Sequence, residues 1–186
     1  MKNIAMKFSV SILLLLVSCN SNGGVEKSIQ YSYIKDCKEK IDNDNAAFSE
    51  LVCPKIGSYG VIIKSVGVEF MSIILQGNDK TLATDSDDLT KGLPFGQMKV
   101  IEWHLENNEP KYLIFRLAWG TASEPFVMTE RLVLNLVSND RICPLATVNT
   151  RTFKNANQIA RDWLSSELTK SNSCPKTIAE YQPIKK

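Results

Sequence analysis

A single histidine, His104, occurs in the 186 residues of this chain. That scarcity excludes every metal site built on several histidines, H-E-x-x-H among them. A Ser-His-Asp or Cys-His arrangement would have to use His104, and no G-x-S-x-G elbow or other nucleophile signature accompanies it. Glycine-rich phosphate loops and dinucleotide fingerprints are missing as well. No C-x2-C pair exists, so a four-cysteine zinc site has no support in the spacing. The acidic stretch Asp85-Ser86-Asp87-Asp88 lacks the turn glycine and distal glutamate of a calcium loop. No cofactor or metal is implied, and a non-enzymatic role is expected.

A long apolar span is also lacking. The apolar run at 8–17 is ten residues long, two of them serine, against the roughly 20 needed to cross a bilayer as a helix. Lys2 and Lys7 precede it and small polar residues follow, which is the layout of a secretory signal. Its end, Leu16-Val17-Ser18-Cys19, resembles the lipobox of bacterial lipoproteins. The resemblance implies cleavage before Cys19, lipidation of its sulfur, and attachment to a membrane through that lipid. Each buried methylene contributes about 0.8 kcal/mol, so two or more acyl chains on one residue anchor stably. In the Gram-negative sorting pattern that this signal resembles, an Asp after the lipidated Cys favours the inner membrane. Asn20 stands there instead, which implies the outer membrane.

Removing residues 1–18 discards Lys2 and Lys7 and no acid. Lys+Arg falls from 22 to 20 against 20 Asp+Glu, so the mature formal charge is zero. A neutral domain offers no bulk electrostatic basis for binding nucleic acid. The remaining length suits one domain with a real core. The expected organisation is a signal at 1–18, a polar flexible tether at 19–30, and a single domain at 31–186.

Besides Cys19 there are four cysteines: Cys37, Cys53, Cys143 and Cys174. An even number in an exported chain implies disulfides. Three pairings are possible, and Cys37–Cys53 with Cys143–Cys174 is the favoured one.

The centre of the chain reads as antiparallel sheet. Residues 59–65 and 68–75 are rich in β-branched and aromatic types. Residues 99–106 and 111–119, separated by Asn107-Asn108-Glu109-Pro110, give a hairpin signal. Alternation places Ile101, Trp103 and Leu105 on one face, and Leu113, Phe115, Leu117 and Trp119 on the facing side of the next strand. Glu102 and Arg116 then share the opposite face, opposite or diagonal, and a cross-strand ion pair between them is expected. Residues 120–126 turn the chain, 128–137 alternates again, and 141–149 is the last strand, edged or bulged by Pro144. A short strand is expected at 31–34, a loop with one helical turn near 46–51 within 38–51, and a long exposed loop at 77–92.

Near the C-terminus the period changes. Ala156, Ile159, Ala160, Trp163, Leu164 and Leu168 lie on one helical face, with Asn155 and Gln158 spaced as a capping box. Arg161, Ser165, Ser166 and Lys170 are expected to face outward, and the tail from 176 onward to be extended. A Cys143–Cys174 bond would pin the far end of this helix to the last strand. The fold class is therefore α+β: an antiparallel sheet packed by one C-terminal amphipathic helix, with two disulfides. Trp103, Trp119 and Trp163 occupy periodic apolar positions and belong to the core.

The order Cys53, Gly57-Ser58-Tyr59-Gly60-Val61, Ile101-Glu102-Trp103, Arg141-Ile142-Cys143, then Asn155-Ala156-Asn157 with Ala160-Arg161 is similar to small exported proteins of Gram-negative bacteria without an assigned function. The resemblance implies a single exported domain and supports the pairing of Cys143 with Cys174. It implies no activity. The expected role is a membrane-tethered binding or accessory domain whose partner is another envelope protein. An inhibitor or immunity type of role is one form of this. The alternative is a binder of a small molecule or envelope polymer, for which Glu102, His104 and Arg116 are the candidate polar groups.

Overall fold

The computed structural model describes residues 25–41, 48–66, 69–77, 80–84, 96, 99–119, 129–166 and 173–182. Cys19 and the signal, the acidic stretch at 85–88, the turn at 120–126, and Leu168 and Lys170 lie outside them.

The chain begins with β1 (Lys27–Tyr33), a 3-10 turn (Ile34–Asp36) and β2 (Lys38–Ile41). Next come β3 (Phe48–Ile56), β4 (Tyr59–Val66), β5 (Glu69–Gln76) and β6 (Thr81–Ala83). They are followed by β7 (Val100–Glu106), β8 (Glu109–Trp119), β9 (Thr129–Val137) and β10 (Ile142–Asn149). Helix α1 (Ala156–Ser166) and the short β11 (Ala179–Glu180) complete the order. Strands β2 to β6 form a five-stranded antiparallel meander in sequence order. The other sheet runs β1-β7-β8-β9-β10-β11, antiparallel except for the final β10–β11 pair.

Among the described residues the fold is mostly β, with two sheets and one α-helix, and this corrects the expected single sheet. The second sheet covers the face that the helix leaves open. The physical reason lies in β8, which is largely apolar on both faces, and in β9, whose Val133 and Val137 face one layer while Leu132, Leu134 and Leu136 face the other. Ile101, Trp103, Leu113, Phe115 and Leu117 face the meander and meet Ile63, Ile73 and Leu75. Ile114, Leu132, Leu134 and Leu136 face the other way and meet Ala156, Ala160 and Leu164 of α1. Each large side chain buried in these layers contributes roughly 1.5–3 kcal/mol. Two-sided burial explains why the sequence of β8 reads as nearly continuous hydrophobicity.

Local differences have equally concrete causes. Residues 38–51, expected as a loop with a helical turn, contain β2 and the start of β3, whose charged residues sit at the rim of the meander. The expected loop at 77–92 contains β6, where Leu82 inserts into the core. Asn107 and Asn108 have φ of 52° and 64° and form the two-residue turn alone. Glu109 and Pro110 already belong to β8, beside a register shift that accommodates the proline. The register also shifts between Pro144 and Ala146, the bulge expected of Pro144. Gln158 bonds Asp162 one turn on at 2.7 Å rather than closing a capping box with Asn155.

Both disulfides have the favoured pairing. Cys37–Cys53 ties the corner between β1 and β2 to β3, and Cys143–Cys174 ties β10 to the segment after the helix. Each stabilises by roughly 3–4 kcal/mol in the chain-entropy account. Phe153 and Trp163 clamp Tyr181 edge-on, with ring centroids 5.2 and 5.4 Å away, and so hold the tail along β10.

The first strand inverts the usual pattern. It begins at Lys27, inside the stretch expected as tether. Its polar residues point inward, where buried Ser32 accepts a 2.9 Å hydrogen bond from the Trp103 indole N–H. Its large residues Ile29, Tyr31 and Tyr33 point outward and are 48%, 43% and 42% exposed. A buried indole needs an acceptor, and the small hydroxyl of Ser32 supplies it at a position where a large side chain would displace the tryptophan.

Candidate binding surface

The outer face of the six-stranded sheet carries the residues of interest. Helix α1 covers only its β9–β10 half. Beyond the helix, Glu102 on β7 stands opposite Tyr31 on β1 and Ile114 on β8. Alternation along β7 sends Trp103 into the core and Glu102 and His104 to this face.

Glu102 is buried, and its carboxylate is fully engaged. Arg161 of α1 donates Nε to Oε1 at 2.9 Å and to Oε2 at 3.1 Å, and Nη2 to Oε2 at 2.6 Å. His104 donates Nε2 to Oε1 at 2.8 Å. Burial alone pushes this carboxyl upward. The hydrogen bonds from His104 and Arg161, with the Arg161 charge, overturn that and hold it at about 2. The bidentate fork fixes the helix against β7 over a span of 59 residues in sequence.

Arg116 does not pair with Glu102. Its Nη1 donates to Glu130 of β9 at 2.9 Å, and Glu130 also accepts from the Thr150 hydroxyl at 2.7 Å. The expected Glu102–Arg116 ion pair is therefore replaced by two separate pairs, because Arg161 lies closer to Glu102 than any strand residue of opposite charge. The helix arginine was expected to face solvent. It sits at the flank of the apolar stripe, next to Ala160, and a buried strand glutamate on the helix-facing side was the signal that a helix cation must meet it.

Glu102 and Arg116 nonetheless line one groove, whereas His104 does not line it and bears on it only through its bond to Glu102. The groove encloses about 670 Å3 between β1, the β7–β8 surface and the start of α1. Tyr31 forms one wall and Asn157 and Arg161 the other, over a floor containing Val100 and Ile114. Lys99 joins Arg116 and Arg161 as a third cation on its rim.

The open edge of β1 borders the same face. The Ile34 N–H bonds Lys99 O at 3.0 Å, and the Glu26 C=O accepts from Asn107 N at 2.8 Å, so even-numbered residues turn their backbone toward β7. Alternation then turns the N–H and C=O groups of Ile29, Tyr31 and Tyr33 outward, to the edge where no strand pairs among the described residues.

Among the described residues no group of three His, Cys, Asp or Glu is arranged to hold a metal. No buried side-chain nitrogen or oxygen among them lacks a partner. No helix among them is long and apolar enough to cross a membrane. Comparison with protein-family models, curated proteins and solved structures finds no match to this chain.

Proposed function

We propose that this chain is an exported lipoprotein, anchored through Cys19 and carrying a non-enzymatic binding domain that engages another envelope protein along β1. The observation that carries the reading is the inverted first strand. An unpaired edge with seven regular residues is a template for an added strand, and the backbone hydrogen bonds of the edge supply the contact. The outward row Ile29, Tyr31, Tyr33 supplies apolar pockets for alternate side chains of the incoming segment. Lys27 and Lys35 flank the row and discourage indiscriminate edge pairing. The acylated Cys19 would hold this edge a few residues from the membrane, facing proteins of the same envelope.

The test uses the full lipidated chain in cells, with a photo-crosslinking residue at Tyr33 and, as a control, at Val52 on the outer face of the meander. One envelope protein crosslinked in near-equal amount from Tyr33, and not from Val52, is expected. Ile29→Pro removes an outward N–H without breaking a bond to β7, so it should abolish that adduct while leaving thermal unfolding within a few degrees of wild type. Cys19→Ala should move the protein from the membrane to the soluble fraction. Equal adducts from both positions, or an adduct that survives Ile29→Pro in a folded variant, would overturn the strand-addition reading. Continued sedimentation of Cys19→Ala with membranes would overturn the anchor.

A further inference from the structure

We infer that the groove between Tyr31 and the start of α1 is a ligand site for a carboxylate attached to an apolar, preferably aromatic, group. This goes beyond the edge contact proposed above: it shares Tyr31 with that contact but uses side-chain cations of the sheet face and not the backbone of the β1 edge. Donors outnumber acceptors along the groove. Both oxygens of Glu102 are occupied by Arg161 and His104. Oε1 of Glu130 is occupied by Arg116 and Thr150. On the donor side, Arg116 commits only Nη1, and Arg161 commits Nε and Nη2. The Lys99 ammonium makes no side-chain bond among the described residues. Among the described residues, three cations against two carboxylates leave the lining with excess positive charge and with N–H groups still available.

The shape agrees with the charge. A space of about 670 Å3 suits a small organic acid or a chain end. Its floor at Val100 and Ile114 is apolar, and the Tyr31 ring stands along one wall, so a ring on the ligand has a partner. Lys99 and Arg116 lie where the carboxylate of such a ligand would be held, and Arg116 remains 43% exposed, reachable from solvent. The Glu102–Arg161 fork keeps the helix wall in place, so the groove exists before any ligand arrives.

The experiment is a titration of the oxidised, disulfide-intact chain with N-acetyl-phenylalanine, its amide, and a tripeptide ending in phenylalanine with a free carboxylate, followed by NMR. Saturable shifts at Val100, Ile114 and Tyr31 are expected with the acid in the millimolar range or tighter. The amide should bind about tenfold or more weakly, because a charge-assisted bond is lost. Lys99→Met should weaken the acid by about tenfold, while Lys38→Met on the far sheet leaves it unchanged. Tighter binding of the tripeptide than of the free acid would assign the site to peptide chain ends, and the reverse would assign it to small acids. Equal binding of acid and amide, or no saturable shift in the groove, would overturn the inference. Arg116→Gln gives a second check: loss of binding is expected in a variant whose spectrum stays dispersed, and retained binding counts against the site.

Discussion

Replacing Glu102 by glutamine tests the central polar contact of the molecule. The side chain is only 10% exposed, and its carboxyl is held at about 2 by His104 and Arg161 against the opposing effect of burial. An unfolded glutamate titrates at about 4.3. A depressed native value means that the charged form contributes stability that is complete above about pH 5 and is lost as the pH falls toward about 2. The full interval corresponds to about 3 kcal/mol. Arg161 is 39% exposed, however, and water screens its charge, so about 1–2 kcal/mol is the realistic share. Glu102→Gln keeps the shape and an acceptor for His104 but removes the charge. Urea unfolding of the oxidised domain at pH 7 should show that loss as a lower midpoint at unchanged slope. As the pH falls to about 2 the gap between variant and wild type should shrink by half or more, because the wild-type carboxyl is then protonating too. Arg161→Met should cost a similar amount, and the double variant little more than either single one. A variant as stable as wild type at pH 7, or a gap that ignores pH, would refute this account of the bridge.

Two further outcomes are expected. Ser32→Ala leaves the Trp103 indole N–H buried without its acceptor and should lower stability by about 1–2 kcal/mol in the same assay; a neutral result would show that the 2.9 Å bond contributes nothing net. Gly57→Ala puts a Cβ 2.1 Å from the Asn108 carbonyl oxygen at a φ of +57°, and should cost about 2 kcal/mol or more, whereas Gly60→Ala, whose nearest neighbour is 3.6 Å away, should stay within about 1 kcal/mol of wild type.

The sequence displayed the central hairpin clearly because β7 and β8 obey alternation against a buried partner: Ile101, Trp103 and Leu105 could face nowhere but the core. The helix was legible for the same reason, through Ala156, Ala160 and Leu164. The second sheet was partly legible, in β4 and β5, but not as a separate layer, since local pattern does not say which strands share a ladder. β1 was read only in its second half, as the strand expected at 31–34; its start at Lys27 was missed because its core-facing residues are polar and its exposed ones large and apolar, the reverse of the pattern that marks a half-buried strand. Glu102 and Arg116 were recognisable as polar residues on the outer face, and both line the groove. Their partners were not, because Arg161 reaches Glu102 from a different element, and nothing in local spacing reports a contact made 59 residues away.

The position of β1 also decides how the domain answers a mechanical load on its N-terminus. A pull there meets first the two bonds between Glu26 and Asn107 and then Lys27, at the end of a strand that is paired on one side only among the described residues, so a load directed across the ladder to β7 breaks it one bond at a time instead of all together. Peeling continues through Tyr33 and the 3-10 turn and halts at Cys37, which is bonded to Cys53 in the middle of β3. The stretch so released is about 30 Å of extended chain, at roughly 3.3 Å per residue. Up to that point the domain lengthens at low force and the meander keeps its shape; beyond it, the disulfide carries the load directly into the second sheet. Reduction of that one bond would leave only the four-residue ladder of β2 with β3 as the next stop.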